Sequence, residues 1–83
     1  MSWDVLWSDK SRKQLSKMDK KTARRIRDAV LDCTDDPFSA VTRLTNSRFY
    51  RLRVGNYRVI LDLQQGMLII FVVETDLRKS VYK

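Results

Sequence analysis

With 83 residues the chain has room for one small core, so a single domain spanning 1–83 is expected. Two glycines, one proline and 43% hydrophobic residues exclude a disordered or loop-rich chain. The absence of histidine and the single cysteine, Cys33, exclude His-based triads, intramolecular disulfides, cysteine metal clusters and the common zinc sites. No metal or cofactor is therefore expected, and a reducing, cytoplasmic setting is the simplest reading. Asp4 and Asp9 flank a very short apolar run, which is not the layout of a signal peptide. The longest apolar run, Met67 to Val73, is too short to cross a membrane. The net charge is +7, and it is uneven. Residues 1–42 hold nine basic and seven acidic side chains, whereas residues 43–83 hold eight and three. An anionic partner is expected on the second half, with nucleic acid ahead of an acidic protein or a membrane surface.

Ser2 to Trp7 alternates Trp3, Val5 and Trp7 with Ser2, Asp4 and Leu6, the pattern of a strand. Ser8 or Asp9 caps a first helix running from about Asp9 to Lys17, with Leu15 and Met18 inward. Asp19 caps a second, from Lys20 to Asp32 or Thr34. Its apolar positions Ala23, Ile26, Val30 and Cys33 recur at helical spacing, opposite a face rich in lysine and arginine. Asp35-Asp36-Pro37 ends it, because proline disfavours helix in the residue before it. Pro37 to Ser47 reads as a connection.

Phe49 to Leu63 reads as two strands joined by a tight turn at Gly55-Asn56. Tyr50, Leu52 and Val54 share one face with Tyr57, Val59 and Leu61. Arg51, Arg53 and Arg58 then gather on the other, where Asp62 lies further along as the only acidic residue of the hairpin. A patch of like charge is unfavourable by itself and points to an anionic partner. After a turn at Gln64-Gln65-Gly66, a strand from Met67 to Glu74 is apolar throughout to Val73, as expected of a central strand buried on both faces. The fold class is α+β. The order is β-α-α-β-β-β, with a helical hairpin packed on one face of a mainly antiparallel, twisted sheet. The position of the first strand in that sheet is left open.

The segment Tyr50-Arg51-Leu52-Arg53-Val54-Gly55-Asn56-Tyr57-Arg58-Val59-Ile60, the apolar strand Ile69 to Val73 and the ending Arg78-Lys79-Ser80-Val81-Tyr82 resemble the RelE/ParE toxin superfamily, over essentially the whole length. The nearest pattern is that of RelE-type mRNA interferases of type II toxin–antitoxin systems. The resemblance implies a RelE-like fold and a toxin that cuts mRNA in the ribosomal A site. It also implies a cognate RelB-like antitoxin that holds the toxin inactive, with DNA reached only indirectly through that antitoxin and no membrane. Carried over by position, the family's functional residues fall on Arg51, Arg53, Arg58, Arg78 and Tyr82. The chain departs from the family at Asp76-Leu77, where a glycine and then a basic residue or histidine usually precede the C-terminal arginine. Arginine also stands at positions 51 and 53, where some members have lysine.

Metal-independent RNA cleavage uses the 2′-hydroxyl as nucleophile and leaves a 2′,3′-cyclic phosphate. Arg58 and Arg78 suit stabilisation of the phosphorane, and Arg51 and Arg53 suit positioning of the RNA backbone. Tyr82 either stacks on a base or shuttles a proton. A general base is not evident, since arginine effectively never deprotonates. Two other readings stand beside the nuclease. One is a ParE-like inhibitor of DNA gyrase; the other is a catalytically impaired relative that serves as an antitoxin-binding module. Basic residues on the wet face of an antiparallel sheet are common, so the patch alone does not decide between them.

Overall fold

The computed structural model describes residues 2–77. The elements are β1 (Asp4–Trp7), α1 (Asp9–Ser16), α2 (Lys20–Asp32), α3 (Pro37–Ala40), β2 (Thr42–Arg43), β3 (Tyr50–Val54), β4 (Tyr57–Gln64) and β5 (Ile69–Leu77). The five strands form one sheet in the order β1-β5-β4-β3-β2. Only the β1–β5 pair is parallel. The expected α+β arrangement of a helical hairpin on a mainly antiparallel sheet is thus present. The connection expected over Pro37 to Ser47 holds two further elements, α3 and the edge strand β2.

Both long helices start where the sequence supplies a cap. The Ser8 hydroxyl accepts from Ser11 N at 3.0 Å, and the Asp19 carboxylate accepts from Thr22 N at 3.1 Å. The Thr22 hydroxyl also donates to Asp19 at 2.7 Å, and this bond first of all holds the Asp19 carboxyl below its usual value. α2 buries the stripe read from its spacing: Ala23, Ile26, Val30 and Cys33 pack on Leu52, Val54, Val59, Leu61, Ile70 and Val72. Burial also pushes the Cys33 thiol pKa up, as for a small apolar core residue. Beside this core Phe38 of α3 meets Trp3 and Tyr50 edge-on, with ring centroids 5.7 and 5.6 Å apart.

β5 corrects the expected third strand in three ways. Its bounds shift: it begins at Ile69, because 65–68 form the turn, and it runs past the expected end at Glu74 to Leu77. It is central, but only Ile70 and Val72 are fully buried; Ile69, Phe71 and Val73 on it stay half-exposed. Finally, its register with β4 shifts by one residue. Leu61 pairs with Val72, yet Ile60 pairs with Glu74, so Val73 is an extra residue on β5. The bulge lies where β1 ends. There Ser8 N donates to Val72 O at 3.0 Å and the Ser8 hydroxyl to Val73 O at 2.7 Å. Just beyond, the Gln14 side-chain carbonyl accepts from Thr75 N at 2.7 Å. Backbone groups that β1 is too short to pair are thus satisfied from α1.

The turn into β5 places its left-handed residue at Leu68, with φ 54°, and not at Gly66 two positions earlier. Leu68 carbonyl oxygen accepts from Asp4 N at 2.9 Å, so this conformation also sets the start of β1. Left-handed backbone is unfavourable for leucine and far better tolerated by asparagine. Leu68→Asn is expected to stabilise the fold by about 0.5–1 kcal/mol. A thermal melt checks this; an unchanged or lower midpoint would mean that apolar contacts of Leu68 outweigh its strain.

Candidate nucleic-acid interface

The β3–β4 hairpin closes with Val54 opposite Tyr57 and Arg53 opposite Arg58. Gly55 takes φ +60° at the first turn position, which a side chain would resist. The guanidinium of Arg25 lies over this turn, 3.2–3.3 Å from where a Cβ at position 55 would sit. Because Leu52, Val54, Val59 and Leu61 face the core beneath the helices, the alternate residues Arg51, Arg53 and Arg58 share the opposite face of the sheet. The expected grouping of these three is present. Arg53 is exposed, Arg51 is half-buried and the Arg58 side chain is 31% exposed. Arg78 and Tyr82 lie outside the described residues.

Three carboxylates of β4 and β5 also belong to this face, each held by a cation. Asp62, 8% exposed, accepts from Arg48 at 2.9 Å and from Gln64 at 3.2 Å. Glu74, in register with Ile60, is 2.7 Å from Lys10. Asp76, in register with Arg58, accepts from its Nη2 at 2.6 Å. The Arg58 contact is one-ended: Nε is buried and has no acceptor among the described residues.

The Arg58–Asp76 pair was not legible from strand alternation, because the bulge creates it. Without the extra residue, the pairing of Leu61 with Val72 would continue to place Arg58 opposite Thr75. A signal did exist. Ile70 and Val72 face the core, and strict alternation would turn Glu74 and Asp76 inward after them. Burying two carboxylates is costly, so the register had to slip. After the slip Thr75 is buried, and Glu74 and Asp76 face outward with the arginines.

Beside the hairpin, four cations, Lys21, Arg24 and Arg25 of α2 with Arg53, line an open groove of about 560 Å³ together with two carboxylates, Asp28 and Asp32, and with Ala29, Val54 and Gly55. The groove extends the positive surface from the arginine face around the turn. Its cations can engage successive phosphates, whereas the helix-facing side of the sheet is filled by core. Among the described residues no helix is long and apolar enough to cross a membrane.

Known structures share this architecture. The toxin–antitoxin complex RelBE2 from Mycobacterium tuberculosis matches with a TM-score of 0.83 at 17% identity, covering 94% of this chain and 100% of that one. The archaeal RelE–RelB complex from Pyrococcus horikoshii OT3 matches with a TM-score of 0.82 at 23% identity, covering 96% and 99%. The isolated E. coli RelE toxin gives a TM-score of 0.82 at 11% identity, covering 98% and 89%. At these identities the likeness is one of fold. No curated protein sequence matches the chain. The model of the family described as ParE toxin of type II toxin-antitoxin system, parDE, matches residues 5–82, nearly the whole sequence. The chain therefore belongs to this toxin family, within the RelE/ParE superfamily of type II toxin–antitoxin systems.

Proposed function

We propose that this toxin is a ribosome-dependent mRNA endoribonuclease that inhibits translation in the cytoplasm. The observation that carries this reading is the gathering of Arg51, Arg53 and Arg58 on the sheet face opposite the core that α2 packs against. In the proposed reaction the 2′-hydroxyl of the RNA attacks the adjacent phosphorus and the 5′-oxygen leaves, so the upstream product ends in a 2′,3′-cyclic phosphate. Arg58 neutralises charge gathering on the phosphorane oxygens, with Arg78 as its partner in this task. Arg51 and Arg53 hold the flanking backbone in line. Tyr82 stacks on a base or carries a proton. The message, presented in the ribosomal A site, supplies the substrate, and the α2 groove adds phosphate contacts. A RelB-like antitoxin is the proposed regulatory partner, as in the RelE–RelB complexes of the same fold. An acidic, amphipathic segment that folds on binding suits so basic a surface. Operator DNA is reached only through it.

The second reading is inhibition of DNA gyrase by binding. The family description, ParE of a parDE system, favours it, as does an arginine already engaged by an internal carboxylate. Primer extension on cellular messages after a pulse of expression separates the two. Codon-phased cuts within translated regions are the expected result. Intact messages together with linearised plasmid would overturn the nuclease reading and establish the other.

A further inference from the structure

We propose that Asp76 is a built-in competitor for the phosphate site: its carboxylate occupies Arg58 in the free toxin, and a phosphodiester must displace it to bind. The proposal rests on the reading of the arginine face as an RNA-backbone site and adds to it a control on that site's occupancy.

Three observations carry it. The first is placement. Asp76 is the cross-strand partner of Arg58, on the side away from Arg53. Arg58 thus sits between a like charge and an opposite one. Like charges directly opposite each other in a sheet repel, and the Asp76 carboxylate offsets that repulsion while no other anion is present. The second is the bulge. This partnership exists only because Val73 is an extra residue in β5, fixed there by the Ser8 hydroxyl 2.7 Å from its carbonyl oxygen. The carboxylate is therefore delivered to Arg58 by the backbone.

The third is the quality of the pairing. The guanidinium spends a single Nη2 donor on Asp76 and leaves its buried Nε unmatched among the described residues. Arginine binds carboxylate and phosphate best through two parallel donors. A phosphodiester with two free oxygens can take both donors once the side chain swings off Asp76. The half-exposed Asp76 carboxylate has water to return to. The present contact is thus weaker than the one a phosphate can make, and the exchange favours the ligand. It still lowers affinity for anything that binds Arg58, because the ion pair must first open.

Binding of a fluorescent single-stranded RNA oligonucleotide to the full chain tests this directly. Asp76→Asn and Asp76→Ala are expected to bind about three- to fivefold more tightly than wild type, the scale of one exposed ion pair. The dependence of affinity on salt should also steepen by about one ion, because Arg58 no longer carries its own counter-charge. In the Arg58→Ala background the same Asp76 changes should have no effect on affinity. Inorganic phosphate should raise the melting temperature of Asp76→Asn more than that of wild type, which gives a readout without RNA. Unchanged or weaker RNA binding by both Asp76 variants, while Arg58→Ala still weakens it, would overturn the competitor role and leave the RNA site standing. Loss of message cleavage by Asp76→Asn at unchanged affinity would also overturn it, and would make Asp76 a participant in proton transfer. If Arg58→Ala and Arg53→Ala bind RNA as wild type does, the RNA-site reading falls and this proposal falls with it.

Discussion

Arg58→Ala is expected to slow cleavage of ribosome-bound message by about 10²- to 10³-fold, the usual cost of losing one charge-stabilising donor at a transition state. The phosphorane carries more charge than the phosphodiester it comes from, so a cation at Arg58 acts on rate more than on binding. Arg58→Lys should recover only part of the rate, because an ammonium lacks the planar pair of donors. Arg51→Ala and Arg53→Ala should behave differently. They lower RNA affinity, and each reduces the salt dependence by about one ion, with smaller effects on the cleavage step. Lost stability would be a poor explanation for the Arg58 result. Its pair with Asp76 lies at a half-open surface, and such pairs contribute less than about 1 kcal/mol. Time courses by primer extension, with thermal melts of the same proteins, make the comparison. Wild-type cleavage by Arg58→Ala would remove this residue from the reaction.

The largest stability effect is expected at Ile26→Ala. Ile26 is fully buried, at the centre of the contact between α2 and the sheet. Truncating such a side chain costs about 2–5 kcal/mol, through lost burial and the cavity left behind. A domain of this length has roughly 4–12 kcal/mol to lose. The variant should therefore melt at least about 10 °C lower and sit near the edge of folding. Ile26→Val, which removes one methyl group, should cost about 0.5–1.5 kcal/mol. Leu31→Ala on the same helix is the control. Leu31 is 54% exposed, and its loss should change stability by no more than about 0.5 kcal/mol. Denaturant midpoints for the three variants test the packing; equal midpoints for Ile26→Ala and Leu31→Ala would contradict it.

Features that depend on near neighbours in the chain are legible in the sequence. The caps at Ser8 and Asp19 lie within three residues of the amides they satisfy. The α2 stripe and the hairpin parity rest on fixed periods of the backbone, and these place Ile26, Val30, Leu52 and Val59 inward and the three arginines outward. The Gly55-Asn56 turn follows from glycine's freedom at positive φ. Glycine misleads at the next turn, where Leu68 takes the left-handed position. That conformation is held by the amide of Asp4, at the far end of the chain.

Alternation along one hairpin is enough to say which residues form the positive face, because it needs no knowledge of the rest of the chain. What that face meets is a matter of tertiary contacts. Where β1 joins depends on the whole path between Trp7 and Ile69, and it joins parallel to β5. The end of β1 leaves Ser8 beside Val73, and the bulge they share resets the alternation of β5. That one-residue slip keeps Glu74 and Asp76 out of the core and puts Asp76 on Arg58. The physical reason is that register between distant strands is a collective outcome of burial and hydrogen bonding, and one extra residue exchanges the faces of everything beyond it.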